Sequence, residues 1–312
     1  MEHNSSTTAE PQQETRRADR TKTSPVLATV LVILGVLVML YPVTSTLWNN
    51  HLATKAAQEY AKLEKDTPEE VINKQWDNAH EYNKHRTTGP ILDPWLARFD
   101  KNNPDYQEYL TQLDTNDAMA RLIFPKIKAD LPIFHGTDND TLQRGLGHLF
   151  GSDLPVGGKS THSVITGHTG LANSTMFDHL NKAEKGDAFY VQVSGQKLKY
   201  VVDQIKVVLP TETEDLRPVQ GKDYITLITC TPYGINTHRL LVRGHQVPLN
   251  EEDHEIFDKS HGAGWQWWMY VLLAAAVGVM LMLLRWLLKN KRDRGSQEET
   301  ETDNDEGVGE DD

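Results

Sequence analysis

Two long apolar blocks near the ends of the chain constrain it more than any other feature. The first begins Pro25-Val-Leu-Ala-Thr-Val-Leu-Val-Ile-Leu-Gly-Val-Leu-Val-Met-Leu-Tyr41. With its flank to Leu47 it reaches the roughly 20 residues that cross a hydrocarbon core as a helix. The second runs from Trp265 to Leu288 and carries no charge before Arg285. Both are too long and too uncharged for ordinary amphipathic helices. A cleaved leader needs a short apolar core and a small-residue cleavage site. Tyr41-Pro-Val-Thr-Ser-Thr46 is a weak site, so an uncleaved span is expected. Arg16, Arg17, Arg20 and Lys22 precede the first block, and Lys289, Lys291, Arg292 and Arg294 follow the second. Basic flanks stay in the cytoplasm, so both termini are expected inside a cell membrane crossed twice, with residues 49–264 outside. Trp48, Trp265, Trp267, Trp268 and Tyr270 sit where an interfacial aromatic belt belongs.

Charge and texture divide the rest. The net charge is -12, much of it between Glu298 and Asp312, a stretch without a cation. Such a tail is expected to be solvated and disordered. There is no basic stripe of the kind nucleic acid requires. Residues 1–24 are polar and aperiodic and are expected to be a disordered cytoplasmic segment. After a first span at 25–47, residues 48–118 read as an extracytoplasmic helical region, with a helix or a helix pair broken near Pro68. It contains a loop at about 87–98, punctuated by Gly89-Pro90 and Asp93-Pro94. From Ala120 the pattern becomes short apolar or β-branched runs separated by Gly, Pro, Asp and Asn, which predicts a sheet-rich barrel or sandwich over 119–250. Val191-Gln-Val-Ser-Gly-Gln-Lys-Leu-Lys-Tyr200 predicts a hairpin around Ser194-Gly195. A linker at 251–264, a second span at 265–288 and a basic then acidic tail at 289–312 complete the chain.

Cys230 is the sole cysteine. It has no partner for a disulfide within the chain, and outside a cell a free thiol is open to oxidation. By count alone it is either a small buried hydrophobe or a reactive group. Its setting is more telling. Cys230 closes the apolar run Thr226-Leu-Ile-Thr-Cys230, and Arg239 opens the next run nine residues later, across a loop with Pro232 and Gly234. Two such strands bring these side chains together at one end of a sheet. His168 follows a third run, in Ser160-Thr-His-Ser-Val-Ile-Thr-Gly-His-Thr-Gly170. Strand ends are where a rigid scaffold presents side chains to a cleft. A thiolate attacks a peptide carbonyl and is favoured by a nearby cation. A histidine protonates the leaving amine and later takes a proton from the incoming one. A guanidinium holds substrate and steadies the developing oxyanion. The acyl group passes through a thioester.

These residues resemble the signature of sortases. The segments 160–170 and Thr229-Cys-Thr-Pro-Tyr-Gly-Ile-Asn-Thr-His-Arg-Leu-Leu-Val-Arg-Gly244 are similar to class C, the pilus-building sortases of Gram-positive bacteria, and the likeness covers about residues 85–250. It implies a mainly β fold: an eight-stranded sortase barrel with N-terminal helices and a lid loop. It implies His168, Cys230 and Arg239 as catalytic residues. It also implies that Asp93-Pro94-Trp95 is a lid motif; physically, the Asp93 carboxylate suits pairing with Arg239 and the Trp95 ring suits contact with the Cys230 sulfur, while a plain loop whose Trp95 packs on the barrel is the alternative.

Other residues receive lesser roles. Thr229 is expected to shape the substrate pocket. His162 is expected to be a structural hydrogen-bonder and His238 to face away from the site. Arg243 is expected in a salt bridge, and Ser163 has no triad role. Asp153, Asp178 and Glu184 lack metal-ligand spacing, so neither metal nor cofactor is expected. The resemblance implies cleavage of a Leu-Pro-X-Thr-Gly signal between Thr and Gly and transfer to a pilin lysine. The expected partners are thus signal-bearing pilins or surface proteins and the lipid bilayer. Transfer to a peptidoglycan precursor, or a silent membrane scaffold, are the competing readings.

Overall fold

A computed structural model describes residues 25–86, 92–95, 100 and 102–305, of which 293–305 as backbone only. The expected cytoplasmic segment 1–24, the tail beyond Asp305 and most of the 87–98 loop lie outside the described residues. The helices are α1 (Pro25–Asp66), α2 (Glu69–His85), α3 (Pro104–Leu110), α4 (Asn139–Arg144), α5 (His254–Asp258) and α6 (Trp267–Asp305). The strands are β1 (Ala120–Phe124), β2 (Ala129–His135), β3 (Leu146–His148), β4 (Thr161–Thr166), β5 (Ala188–Val193), β6 (Gln196–Val208), β7 (Asp223–Thr231) and β8 (His238–Val247). Residues 40–273 form one compact unit, and the outer parts of α1 and α6 form another.

In the helical unit, α1 and α6 are each long and apolar enough to cross a membrane. Leu27, Leu31, Val38, Leu281, Met282 and Leu288 are exposed, so no protein core accounts for their apolar character. Neither helix ends where its apolar block ends. α1 continues past Leu47, through Pro42 and on to Asp66. Residues 51–66 are rich in Ala, Lys, Glu and Gln, which favour helix, and the stop comes just before Pro68, which disfavours helix in the residue preceding it. α6 starts at Trp267 rather than Trp265 and runs past Leu288 to Asp305, so the first part of the acidic tail is helical instead of disordered. Its Lys, Arg, Gln and Glu residues are good helix formers.

The larger unit is a closed eight-stranded barrel in the order β1-β2-β3-β4-β7-β8-β6-β5. Closure leaves no free sheet edge. The β2–β3 and β4–β7 pairs are parallel and the others antiparallel. The β5–β6 hairpin turns at Ser194 and Gly195, with φ of 45° and 73°. Positive φ at both central residues suits the twist of a two-residue hairpin. The two runs 197–202 and 205–209 join in one strand, β6, whose register to β8 shifts between Val202 and Gln204. An extra residue of this kind bends a strand without ending it.

β7 lies between β4 and β8 and is buried along nearly its whole length. A strand covered on both faces reads as a continuous apolar run, as 224–230 does. Side-chain alternation nevertheless sorts its residues. Ile225 and Leu227 enter the main core with Leu122, Phe124, Phe189 and Val242. Ile228 enters a second cluster with Leu149, Val164, Leu216 and Leu241. Cys230 shares the face of Ile228, and Arg239 that of Leu241.

Candidate active site

Cys230 and Arg239 are directly opposed partners in the β7–β8 ladder. The loop between them contains the cis Thr231–Pro232 peptide and Asn236 at φ 61°. Loop carbonyls orient the guanidinium: Arg239 Nη1 donates to Asn236 O and His238 O, each at 3.1 Å. Its other edge is occupied by Asp93. Nε donates to Asp93 Oδ2 at 2.6 Å and Nη2 to Asp93 Oδ1 at 3.1 Å. Both side chains are buried. This two-point match of guanidinium and carboxylate is the strongest pairing geometry these groups have.

Trp95 follows in the same loop. Its amide donates to Asp93 Oδ1, and its ring lies 4.7 Å from the Arg239 guanidinium carbon and 6.3 Å from the His168 ring. The indole packs on the second apolar cluster. Pro94 is fixed from the barrel, its carbonyl accepting from Thr137 Oγ1 at 2.9 Å. The structure thus brings the Asp93–Trp95 motif, His168 and Arg239 into one site, with Trp95 against the histidine and the arginine.

His168 stands two residues beyond β4. The Gly167 amide donates to Ile228 O at 3.1 Å, continuing the β4–β7 ladder. A Cβ at Gly167 would sit 2.6 Å from Leu146 and 2.8 Å from Phe177, so the backbone here passes where only glycine fits. His168 Nε2 is buried without a hydrogen-bond partner among the described residues, as is Trp95 Nε1. Burial holds the His168 imidazolium below the usual histidine range. Burial also pushes the Cys230 thiol up, a shift that Arg239 opposes and Asp93 reinforces. Both shifts favour the uncharged forms, a thiol and a neutral imidazole.

The remaining expectations divide cleanly. Thr229, expected at the substrate pocket, is buried, and its hydroxyl donates to Gly167 O at 2.7 Å. It supports the His168 segment from below. His162 is wholly buried, with Nδ1 2.9 Å from Arg217 O and Nε2 2.7 Å from Thr226 Oγ1. Arg243 pairs with Asp203 at 2.9 Å and covers the Tyr224 ring at 4.1 Å. His238 meets Thr237 Oγ1 instead of the site.

Sequence reasoning missed the supports around the site. Asp178 accepts from the Gly170 amide at 2.7 Å and from Thr169 Oγ1 at 3.2 Å, closing the turn after His168. Arg86, just after α2, pairs with buried Asp153 at 2.6 Å. Asp153 also accepts from the His162 amide. Tyr109 of α3 donates to His148 O and meets His148 Nδ1 at 3.0 Å. Nothing in the sequence marked these long-range partners.

Residues 122–247 match the model of the sortase domain family. Sortase D of Bacillus subtilis (strain 168) is 31% identical over 159 residues, covering 49% of this chain and 77% of that protein. Sortase C-1 of Actinomyces oris is 57% identical, covering 57% of this chain and 99% of that one with a TM-score of 0.55. Sortase C of Streptococcus pneumoniae, whose structure bears on catalysis and pilin substrate specificity in that enzyme, is 38% identical over 62% of this chain and 97% of its own, with a TM-score of 0.58. With a closed eight-stranded barrel and a cysteine opposed to an arginine across two of its strands, this chain belongs to the sortase family of cysteine transpeptidases.

Proposed function

We propose that this sortase is a pilus-assembly enzyme of class C, kept closed at rest by its lid, with Cys230, His168 and Arg239 as its catalytic residues. The observation that carries the reading is the Asp93 carboxylate seated on the Arg239 fork beneath Trp95. A carboxylate on that edge holds the place of a substrate oxygen. The likeness to sortase C structures from Actinomyces oris and Streptococcus pneumoniae supports the same class.

In the reaction, the lid leaves and Asp93 releases the Nε–Nη2 edge of Arg239. The Cys230 thiol gives its proton to His168, and the thiolate attacks the Thr carbonyl carbon of a Leu-Pro-X-Thr-Gly-like signal. Arg239 steadies the oxyanion. The C–N bond breaks, His168 returns the proton to the glycine amine, and a thioester remains on Cys230. A pilin lysine amine then attacks the thioester carbonyl and passes a proton to His168. The sulfur leaves and an isopeptide bond forms. Departure of Asp93 removes an influence that raises the Cys230 pKa, so opening also activates the nucleophile.

α1 and α6 serve as the two membrane spans, with both termini cytoplasmic and the barrel outside, as the flanking Lys and Arg residues support. The test is a competition. Purified full-length enzyme is offered a sorting-signal peptide with either a lysine-bearing pilin domain or a peptidoglycan-precursor amine. Isopeptide product with the pilin alone is expected; product with the precursor amine alone contradicts pilus assembly.

A further inference from the structure

The loop that carries His168 onward, residues 168–179, is gripped from outside the barrel by α1 and by the segment entering α6. From α1, Asn50 Nδ2 donates to Thr175 Oγ1 at 2.8 Å, and the Thr175 amide donates back to Asn50 Oδ1 at 2.9 Å. Both side chains are buried. Asn49 Nδ2 donates to Asn173 O at 2.8 Å, and Thr46 Oγ1 to Ala172 O at 3.3 Å. From the segment entering α6, the Gln266 side-chain oxygen lies 2.9 Å from His179 Nε2. The C-terminal linker passes close enough to α1 that a Cβ at Gly262 would lie 2.1 Å from Thr54 Oγ1.

Inside the loop the restraints lead to the histidine. The Phe177 amide donates to His168 O at 3.0 Å, and the Asp178 amide to Thr175 O at 2.8 Å. The Asp178 carboxylate then closes on Gly170 and Thr169. Thr175 is the meeting point: its side chain and amide face Asn50, and its carbonyl holds Asp178. A barrel alone does not require this arrangement. The main core takes in Leu171 before this stretch and Met176, Phe177 and Leu180 after it, but not residues 172–175.

We propose that Asn50, with Gln266 at the other end of the loop, is a positioning residue for His168, so that seating of α1 against the barrel fixes the proton-transfer geometry. This rests on the reading of His168 as the proton-transfer group. A displacement of the imidazole that leaves the fold intact slows the chemical steps far more than it weakens substrate binding.

The test uses full-length protein in micelles, with a sorting-signal peptide as substrate. Asn50→Ala and Thr175→Val remove the bracket, Thr175→Ser keeps it, Gln266→Leu removes the second restraint, and Lys55→Ala on the exposed side of α1 is the control. Asn50→Ala is expected to lower kcat by about tenfold with KM within about twofold, and to move the His168 imidazole resonances. Thr175→Ser and Lys55→Ala are expected to match wild type. Should Asn50→Ala fail to fold, Thr175→Val and Gln266→Leu carry the comparison with the same expected split. Unchanged kcat and unchanged His168 resonances in the folded variants overturn the proposal. His168→Ala separates the two readings: if it abolishes turnover while the bracket variants are normal, only the positioning role falls. If His168→Ala is fully active, both fall.

Discussion

At the scale of single residues, the site is a set of charges and orphans balanced by burial. Arg239 spends one nitrogen on loop carbonyls and presents the remaining edge to Asp93. Lysine lacks that fork, so Arg239→Lys is expected to lose the two-point lid contact and to lower kcat/KM by about a hundredfold in peptide turnover. The sequence made this constellation legible because β7 and β8 are consecutive strands. A nine-residue spacing across one turn fixes Cys230 opposite Arg239 without knowledge of the rest of the barrel. Thr229 was less legible. Its neighbour is the nucleophile, but alternation turns it to the opposite face, where its hydroxyl holds Gly167 O. Thr229→Val keeps the shape and removes that donor. It is expected to destabilise the protein by about 1 kcal/mol in urea melts and to reduce kcat more than it raises KM.

At the scale of elements, two contacts tie the segments flanking the proposed lid to the barrel, one at the β3–β4 connection and one at β3. Arg86 and Asp153 hold the entry, both more than nine-tenths buried. Further along, Tyr109 of α3 meets His148 at the end of β3. Removing one partner leaves a buried charge behind, so Arg86→Leu is expected to cost about 3–5 kcal/mol and to speed Cys230 alkylation by loosening the lid. His148 is fully buried, and burial pushes its pKa down to about 3. The sign follows from proton counts. Between about pH 6.5 and 3 the unfolded chain binds a proton here that the folded chain does not, so this group's contribution is present above pH 6.5 and is lost as pH falls. The loss is about 1.4 kcal/mol per pH unit. His148→Gln is therefore expected to flatten the acid limb of stability measured by urea melts between pH 6.5 and 5; an unchanged slope contradicts the assignment. None of these pairings was legible, because Arg86 and Asp153 are 67 residues apart in sequence. Periodicity reports faces within an element, not partners between elements. The strand pattern was legible for the converse reason: alternation and turn residues are local, as Ser194-Gly195 shows.

At the scale of the whole molecule, two apolar helices and a closed barrel combine in one chain. The apolar blocks were the plainest sequence feature, yet the helix ends were not. α1 and α6 outrun their blocks because helix propensity continues after hydrophobicity stops. In right-side-out vesicles, a thiol reagent that does not cross membranes is expected to label Cys230 in a lid-opened variant, and absence of labelling until the vesicles are lysed contradicts an outside barrel. The buried Arg121–Asp130 pair, which also receives the linker through Phe257 O and the His261 amide, fixes where the chain leaves the barrel for α6. The central claim joins these scales: Cys230 is a nucleophile held under a closed lid. Its most direct test is the alkylation rate of Cys230 in the full-length protein, wild type against Asp93→Ala/Trp95→Ala, measured across pH 6 to 10. The account predicts slow wild-type labelling, at least tenfold faster labelling in the double variant, and an inflection moved to lower pH by loss of the Asp93 charge. Identical rates and an identical inflection would contradict it.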